Sequence, residues 1–166
     1  MKNVYRDMAR SVYMKLKSEG ANIFTGKGAI KSIERTLRHI DADINKQNER
    51  IENILDNATT VTLAEMNLNY QDGWVDKQDY LETITNMYKD KLDLNSIPTD
   101  FDTRLNKFLG KYGEMQFKDI ITGTNKTLNQ WTDEYKKGKI SLYVLNDIIE
   151  DFKHSGYYEA DLYGKR

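Results

Sequence analysis

Apolar residues recur at regular intervals between Ala29 and Ile54 and predict one long helix. Eight positions follow each other at alternating intervals of three and four residues, which is the spacing of a helix face that meets another helix. Gln47 is the polar member of this heptad seam. The seam must pair with a helix elsewhere in this chain or in a second copy. Its members are Ile30, Ile33, Leu37, Ile40, Ile44, Gln47, Ile51 and Ile54.

The rest of the chain is also predicted to be mainly helical. It contains one proline and ten glycines, so few residues interrupt helices. Apolar residues at helical spacing, with glycine or small polar residues at the ends, mark the individual helices. We predict helices over residues 4–18, 76–92, 100–110, 115–121, 125–138 and 141–155.

Residues 59–75 allow two interpretations. Val61, Leu63, Met66, Leu68 and Tyr70 nearly alternate with polar residues, and a turn-forming Asp-Gly pair follows them, which favours a small β-hairpin. The rival interpretation is a helix over residues 63–70. The alternation slightly favours the hairpin.

Together these elements predict a mainly α fold with an extended shape. A long-helix, coiled-coil-like arm, with or without the small hairpin, would join a C-terminal bundle of three or four helices near Pro98. The predicted regions are a basic N-terminal helix and loop over residues 1–28, a long-helix intermediate region over 29–95 and a helical bundle over 96–166.

The charge is unevenly distributed, although the net charge is −1. Residues 1–40 carry nine Lys or Arg and three Asp or Glu, whereas residues 41–92 carry five and eleven. A basic head on an acidic body predicts an anionic partner for the head, or else a solvated basic helix face. We expect weak, salt-sensitive association with DNA through Lys2, Arg6, Arg10, Lys15, Lys17, Lys27 and Lys31.

The sequence contains no familiar catalytic set. Cysteine is absent, and neither His39, which is expected to face solvent, nor His154 has metal-ligand neighbours. Asp147, Glu150 and Asp151 are spaced to form one acidic helix face, for a partner or for solvent. No apolar run approaches the ~20 residues that span a bilayer, and no secretory signal is evident. A short loop over residues 121–125 carries two hydroxyls and a glycine.

Three segments resemble one known family. AIKSIER opens the long helix at Ala29, FKDIITGTN contains the hydroxyl loop from Phe117, and WTDEYKKGKISL begins at Trp131. Their order and spacing resemble the terminal proteins of small bacteriophages that replicate linear DNA by protein priming. The second segment resembles that family's priming loop, which lies between two helices of the C-terminal bundle.

The resemblance implies a protein primer and not an enzyme. A DNA polymerase would attach the first nucleotide to the hydroxyl of Thr122, with Thr124 as the alternative acceptor. Metal ions would belong to the polymerase, and the chain would need no cofactor and no membrane. Such a protein would act in the host cytoplasm. Threonine stands where the family has serine, Ile121 stands where it has an acid, and the basic N-terminal region is short.

Two other functions remain open. A helical interaction protein, such as a phage inhibitor or scaffold, would use the heptad seam for self-association and its acidic surface for a partner. In that case residues 122–124 would be only a helix cap and a turn. A DNA-binding accessory factor is the third interpretation.

Overall fold

The computed structural model describes residues 3–20, 28–54, 59–94 and 99–154. Within these ranges seven helices and one short hairpin form, so the predicted mainly helical fold is confirmed. Lys2, Lys27 and Pro98 lie outside the described residues, as do the side chains of Ile51 and Ile54. The elements are α1 (Val4–Ser18), α2 (Ala29–Ile54), α3 (Leu63–Gln71), α4 (Lys77–Leu94), α5 (Phe101–Tyr112), β1 (Gln116–Lys118), β2 (Asn125–Thr127), α6 (Leu128–Lys136) and α7 (Leu142–Lys153).

The first half of the heptad seam finds its partners within the chain. Ile33, Leu37 and Ile40 are buried against α1, α3 and α4, while Gln47 is exposed. Burial of three branched side chains stabilises this packing by about 1.5–3 kcal/mol each. The other buried members of this N-terminal core are Met8, Ala9, Val12, Leu16, Leu63, Tyr80, Ile84 and Tyr88.

A second apolar core lies in the C-terminal part. Trp131 is its largest fully buried side chain, and its indole N–H donates to the carbonyl of Phe117 over 3.1 Å. This bond satisfies the one polar atom of the ring and fixes the hairpin against α6. The core is formed by Phe101, Leu105, Leu128, Trp131, Ile140, Leu142, Val144, Leu145, Ile148, Ile149 and Phe152.

A polar face of α2 joins the two cores. The Thr36 and Ser141 hydroxyls are both fully buried and lie 2.8 Å apart, and Tyr143 of α7 donates to Asp43. Both α2 and α4 also contact α7. The predicted separation of arm and bundle is therefore wrong for the described residues, because the first half of α2 packs against both cores. The domain boundaries near residues 28 and 95 stay predictions.

The hairpin forms at a different place from the one predicted. Residues 63–71 form α3, because Thr62 accepts from the Glu65 N–H and the Asp41 carboxylate accepts from the Leu63 and Ala64 N–H groups. A carboxylate at a helix N-terminus is favourable, and here α2 supplies it from more than twenty residues away.

The predicted helix over 115–121 is also wrong. β1 and β2 pair antiparallel there, with Gln116 opposite Thr127 and Lys118 opposite Asn125. Thr127 then caps α6 in a reciprocal pair of hydrogen bonds with Gln130. Among the described helices, none is long and apolar enough to cross a bilayer.

Candidate functional site

The hydroxyl-bearing loop is the tight connection between β1 and β2. The Asp119 N–H donates to the Thr124 carbonyl over 2.8 Å, and the Gly123 N–H donates to the Asp119 carbonyl over 2.7 Å. Gly123 has a φ of +76°, which other residues adopt at a cost. The loop therefore lies between two strands and not, as the resemblance implied, between two helices.

Gly123→Ala is expected to destabilise the protein by about 1–2 kcal/mol, because a Cβ disfavours the left-handed conformation even though open space surrounds it. Urea unfolding measures this cost. Gly110→Ala is the matched control, since Gly110 lies in α5 with open space around it, and alanine there is expected to stabilise by up to about 1 kcal/mol. An unchanged stability for Gly123→Ala would contradict the left-handed turn.

Thr122 is the first of four hydrogen-bonded polar side chains that connect the loop to α2 and α7. Its hydroxyl donates to Asp119 Oδ2 over 2.7 Å. The same oxygen lies 3.4 Å from His39 Nε2, and His39 Nδ1 lies 2.6 Å from Asp147 Oδ2. The loop contributes Thr122 and Asp119, α2 contributes His39, and α7 contributes Asp147. This Thr-Asp-His-Asp chain therefore fixes the loop over residues 119–124 to both halves of the fold.

The Thr-Asp-His-Asp chain holds the imidazolium of His39 between the carboxylates of Asp119 and Asp147. Burial disfavours the charged ring, but the hydrogen bonds to Asp119 and Asp147 prevail and raise the pKa of His39 to about 9. Burial acts against the ionised Asp119 too, yet His39 and Thr122 keep the pKa of this carboxyl below its usual value. His39 is thus charged at neutral pH and cannot serve as a general base, whereas Asp119 is an ionised hydrogen-bond acceptor for Thr122.

The expectation that His39 faces solvent is wrong, since its exposed fraction is 1%. A signal was present in the sequence. Ser32, Thr36, His39 and Asp43 follow one another at intervals of four, three and four residues, which is a second helix stripe beside the apolar seam. A polar stripe of this kind predicts solvent as readily as a buried interface, and only the partner residues distinguish the two.

A cationic cavity of about 220 Å³ opens beside Thr122. Glu34 is its one acidic lining residue; it accepts from Arg6 over 3.1 Å and from Arg38 over 3.1 Å. Burial opposes the ionised form, but these hydrogen bonds keep the pKa of Glu34 below its usual value. The lining residues are Arg6, Lys31, Glu34, Arg35, Arg38, Ile121 and Thr122.

No known relative guides the interpretation of this site. No protein-family model, curated protein or solved structure matches the chain significantly.

Of the five described residues that were predicted to bind DNA, four lie on the outer face of α1 or at the cationic cavity. Arg6, Arg10 and Lys17 are exposed on one face of α1, where Arg10 also lies 3.7 Å from Asp7. Lys15 points away from that face and pairs with Glu19 over 3.3 Å. Arg6 and Lys31 line the cationic cavity. The outer face of α1 and the cavity therefore form a basic surface with Arg6 in common.

The acidic residues of α7 differ in their surroundings. Asp147 faces His39, Glu150 is exposed, and Asp151 is partly buried. Burial and the neighbouring Asp147 charge raise the pKa of Asp151. A role in partner binding for the three stays a prediction, and Glu150 alone among them is exposed. Within the described ranges, no group of three or more His, Cys, Asp or Glu side chains is arranged to hold a metal ion.

Proposed function

We propose that this chain is a protein primer whose Thr122 hydroxyl accepts the first nucleotide from a partner DNA polymerase. The observation that carries the proposal is the position of that hydroxyl, oriented by Asp119 at the edge of a cationic cavity. The resemblance to phage terminal proteins, in the same loop, points to the same residue. A primer is a substrate of the polymerase, so the chain itself needs no catalytic set.

The proposed reaction is a nucleotidyl transfer. The Thr122 oxygen attacks the α-phosphorus of a deoxynucleoside triphosphate, the new O–P bond forms, and the bond to the β-phosphate breaks with release of pyrophosphate. The hydroxyl proton would be lost to solvent within the polymerase active site. Metal ions of the polymerase supply the Lewis acid. Asp119 orients the oxygen, a role for which its low pKa is no obstacle.

Two features of the loop support its use by a polymerase. Ile120 is 84% exposed at the turn, so it is available for contact with a partner. In this proposal Asp119 takes the role of the acid that terminal proteins have next to their hydroxyl, where this chain has Ile121. A carboxylate two residues earlier still reaches the Thr122 oxygen over 2.7 Å. As a primer of phage DNA, the protein would act in the host cytoplasm.

Incubation of the full chain with the phage-encoded polymerase, template DNA and a labelled deoxynucleotide tests the proposal. A label that survives denaturation and maps to Thr122 supports it. Absence of any covalent label, with a polymerase shown to be active on a DNA primer, contradicts it.

We expect the basic face of α1 to bind DNA weakly and in a salt-sensitive manner. The double change Arg10→Glu with Lys17→Glu removes two positive charges from a face that makes few internal bonds, so retention at low salt should fall several-fold. Filter binding over a salt series measures this. The control pair Lys107→Glu with Lys136→Glu changes the net charge equally on other exposed surfaces. Equal losses in both pairs would contradict a specific role for α1.

A helical interaction protein remains the second candidate. Leu68, near the end of α3, is 56% exposed, and Trp74, just beyond the helix, is 81% exposed. Aromatic residues such as Trp74 are enriched at protein interfaces. Because the first half of the heptad seam is buried within the fold, less apolar surface is left for self-association than the sequence suggested. In this account Trp74→Ala would remove partner binding and no residue would carry a nucleotide.

A further inference from the structure

The cationic cavity is assembled from three separate parts of the chain. Arg6 comes from α1, and Thr122 comes from the loop between β1 and β2. Lys31, Arg35 and Arg38 follow one another at intervals of four and three residues on α2, so they share one helix face. The fold thus gathers four positive side chains around one hydroxyl.

The positive charge of the cavity exceeds what its neighbours neutralise. Glu34 is shared by Arg6 and Arg38, and Glu134 is shared by Arg35 at 2.6 Å and Lys126 at 2.7 Å. Lys31 has no ion-pair partner among the residues that the structure describes. Each carboxylate can offset one cation, so a net positive charge remains at the mouth, and a bound anion would relieve the repulsion.

Two of the guanidinium groups are held in place before any ligand arrives. Arg38 lies over the Tyr5 ring at 4.7 Å, and Arg35 lies over the Trp131 ring at 5.5 Å. These contacts, with the ion pairs to Glu34 and Glu134, reduce the entropy that binding would otherwise cost. Planar guanidinium groups also match the oxygens of phosphate better than ammonium groups do.

The volume limits the ligand. About 220 Å³ is below the ~300–1,000 Å³ of pockets that enclose a drug-sized molecule, so one or two phosphate groups fit and a whole nucleotide does not. We infer that the cavity is a phosphate-binding site, and that it holds the phosphate group that becomes joined to Thr122. The link to Thr122 rests on the proposed function, since the linking phosphate would be bonded to the Thr122 oxygen at the cavity wall.

Calorimetric titration of the full chain with pyrophosphate, and separately with a short DNA duplex, tests the site itself. Pyrophosphate binding should be saturable and should weaken about tenfold in Lys31→Gln and in Arg38→Gln, because each change removes a charged hydrogen-bond donor. Lys31→Gln breaks no internal bond of the described residues, so its fold is not at risk. Lys107→Gln is the control and should bind like the parent.

The outcomes separate the inference from the proposed function. Pyrophosphate binding that Lys31→Gln weakens, with no nucleotide ever joined to Thr122, supports the phosphate site and overturns the primer. Labelled Thr122 without any saturable pyrophosphate binding overturns the phosphate site and leaves the primer. If Lys31→Gln weakens binding of duplex DNA but pyrophosphate does not bind, the cavity belongs to a DNA-binding surface and the inference fails.

Discussion

Thr122→Val is expected to abolish covalent transfer of the first nucleotide while the protein stays folded. Valine is close in shape to threonine but lacks the hydroxyl that would bond to phosphorus. The lost bond to Asp119 leaves a carboxylate that still pairs with His39, so the loop should keep its conformation. Labelling by the partner polymerase, measured on a denaturing gel, should fall to background.

Two further variants sharpen this test. Thr122→Ser keeps the hydroxyl and should retain labelling, whereas Thr124→Val, on the same turn, should label like the parent. If Thr124→Val loses the label and Thr122→Val keeps it, the acceptor is Thr124 and the mechanism stands with a different residue. If neither change reduces labelling, the acceptor lies outside this turn and the residue assignment is wrong; if the parent chain takes no label at all, the primer account is wrong.

His39→Ala is expected to lower the free energy of unfolding by about 3 kcal/mol. The change leaves the Asp119 and Asp147 carboxylates facing a buried gap without their shared cation, which is costly in a protein interior. The expected loss of stability is at the low end of the range for buried ion pairs because 22% of the Asp147 side chain is exposed. Urea unfolding near pH 6 measures it. His154→Ala, at an exposed helix end, should change stability by less than about 0.5 kcal/mol.

The same residue predicts how stability depends on pH. Folding raises the His39 pKa from 6.5 to about 9, so the folded state binds the proton more tightly than the unfolded state does. The resulting stabilisation is complete below pH 6.5 and is lost as the pH rises through 9, a change of about 3 kcal/mol. Urea unfolding at pH 6, 7.5 and 9 should show this loss in the parent but not in His39→Ala. An equal decline in both would show that other groups cause it.

The sequence predicted what depends on local spacing. The heptad seam predicted α2 and the burial of the first half of that helix, and Ser141 and Gly138 predicted the boundary between α6 and α7. A helix over residues 63–70 was the less favoured interpretation because the N-terminus of α3 depends on Asp41, a residue of another helix. The hairpin around the loop was missed because its strands are three residues long and held by Trp131.

The candidate site was predicted in part. The loop and its hydroxyl stand out in the sequence, and the expected DNA-binding residues include two of the cavity's four cations, Arg6 and Lys31. Asp119, His39 and Asp147 meet only after folding, since they lie 28 to 108 positions apart along the chain. No local pattern distinguishes a buried His39 from an exposed one. The electrostatic setting of Thr122 is therefore a product of tertiary structure.

Mass spectrometry of the protein from its native source, after nuclease digestion, tests the central claim most directly. The account predicts a peptide that contains residues 119–125 and carries a nucleotide phosphodiester, with fragmentation placing the added mass on Thr122. The Thr122 peptide recovered only in unmodified form, from protein that is in complex with replicated DNA, would contradict it.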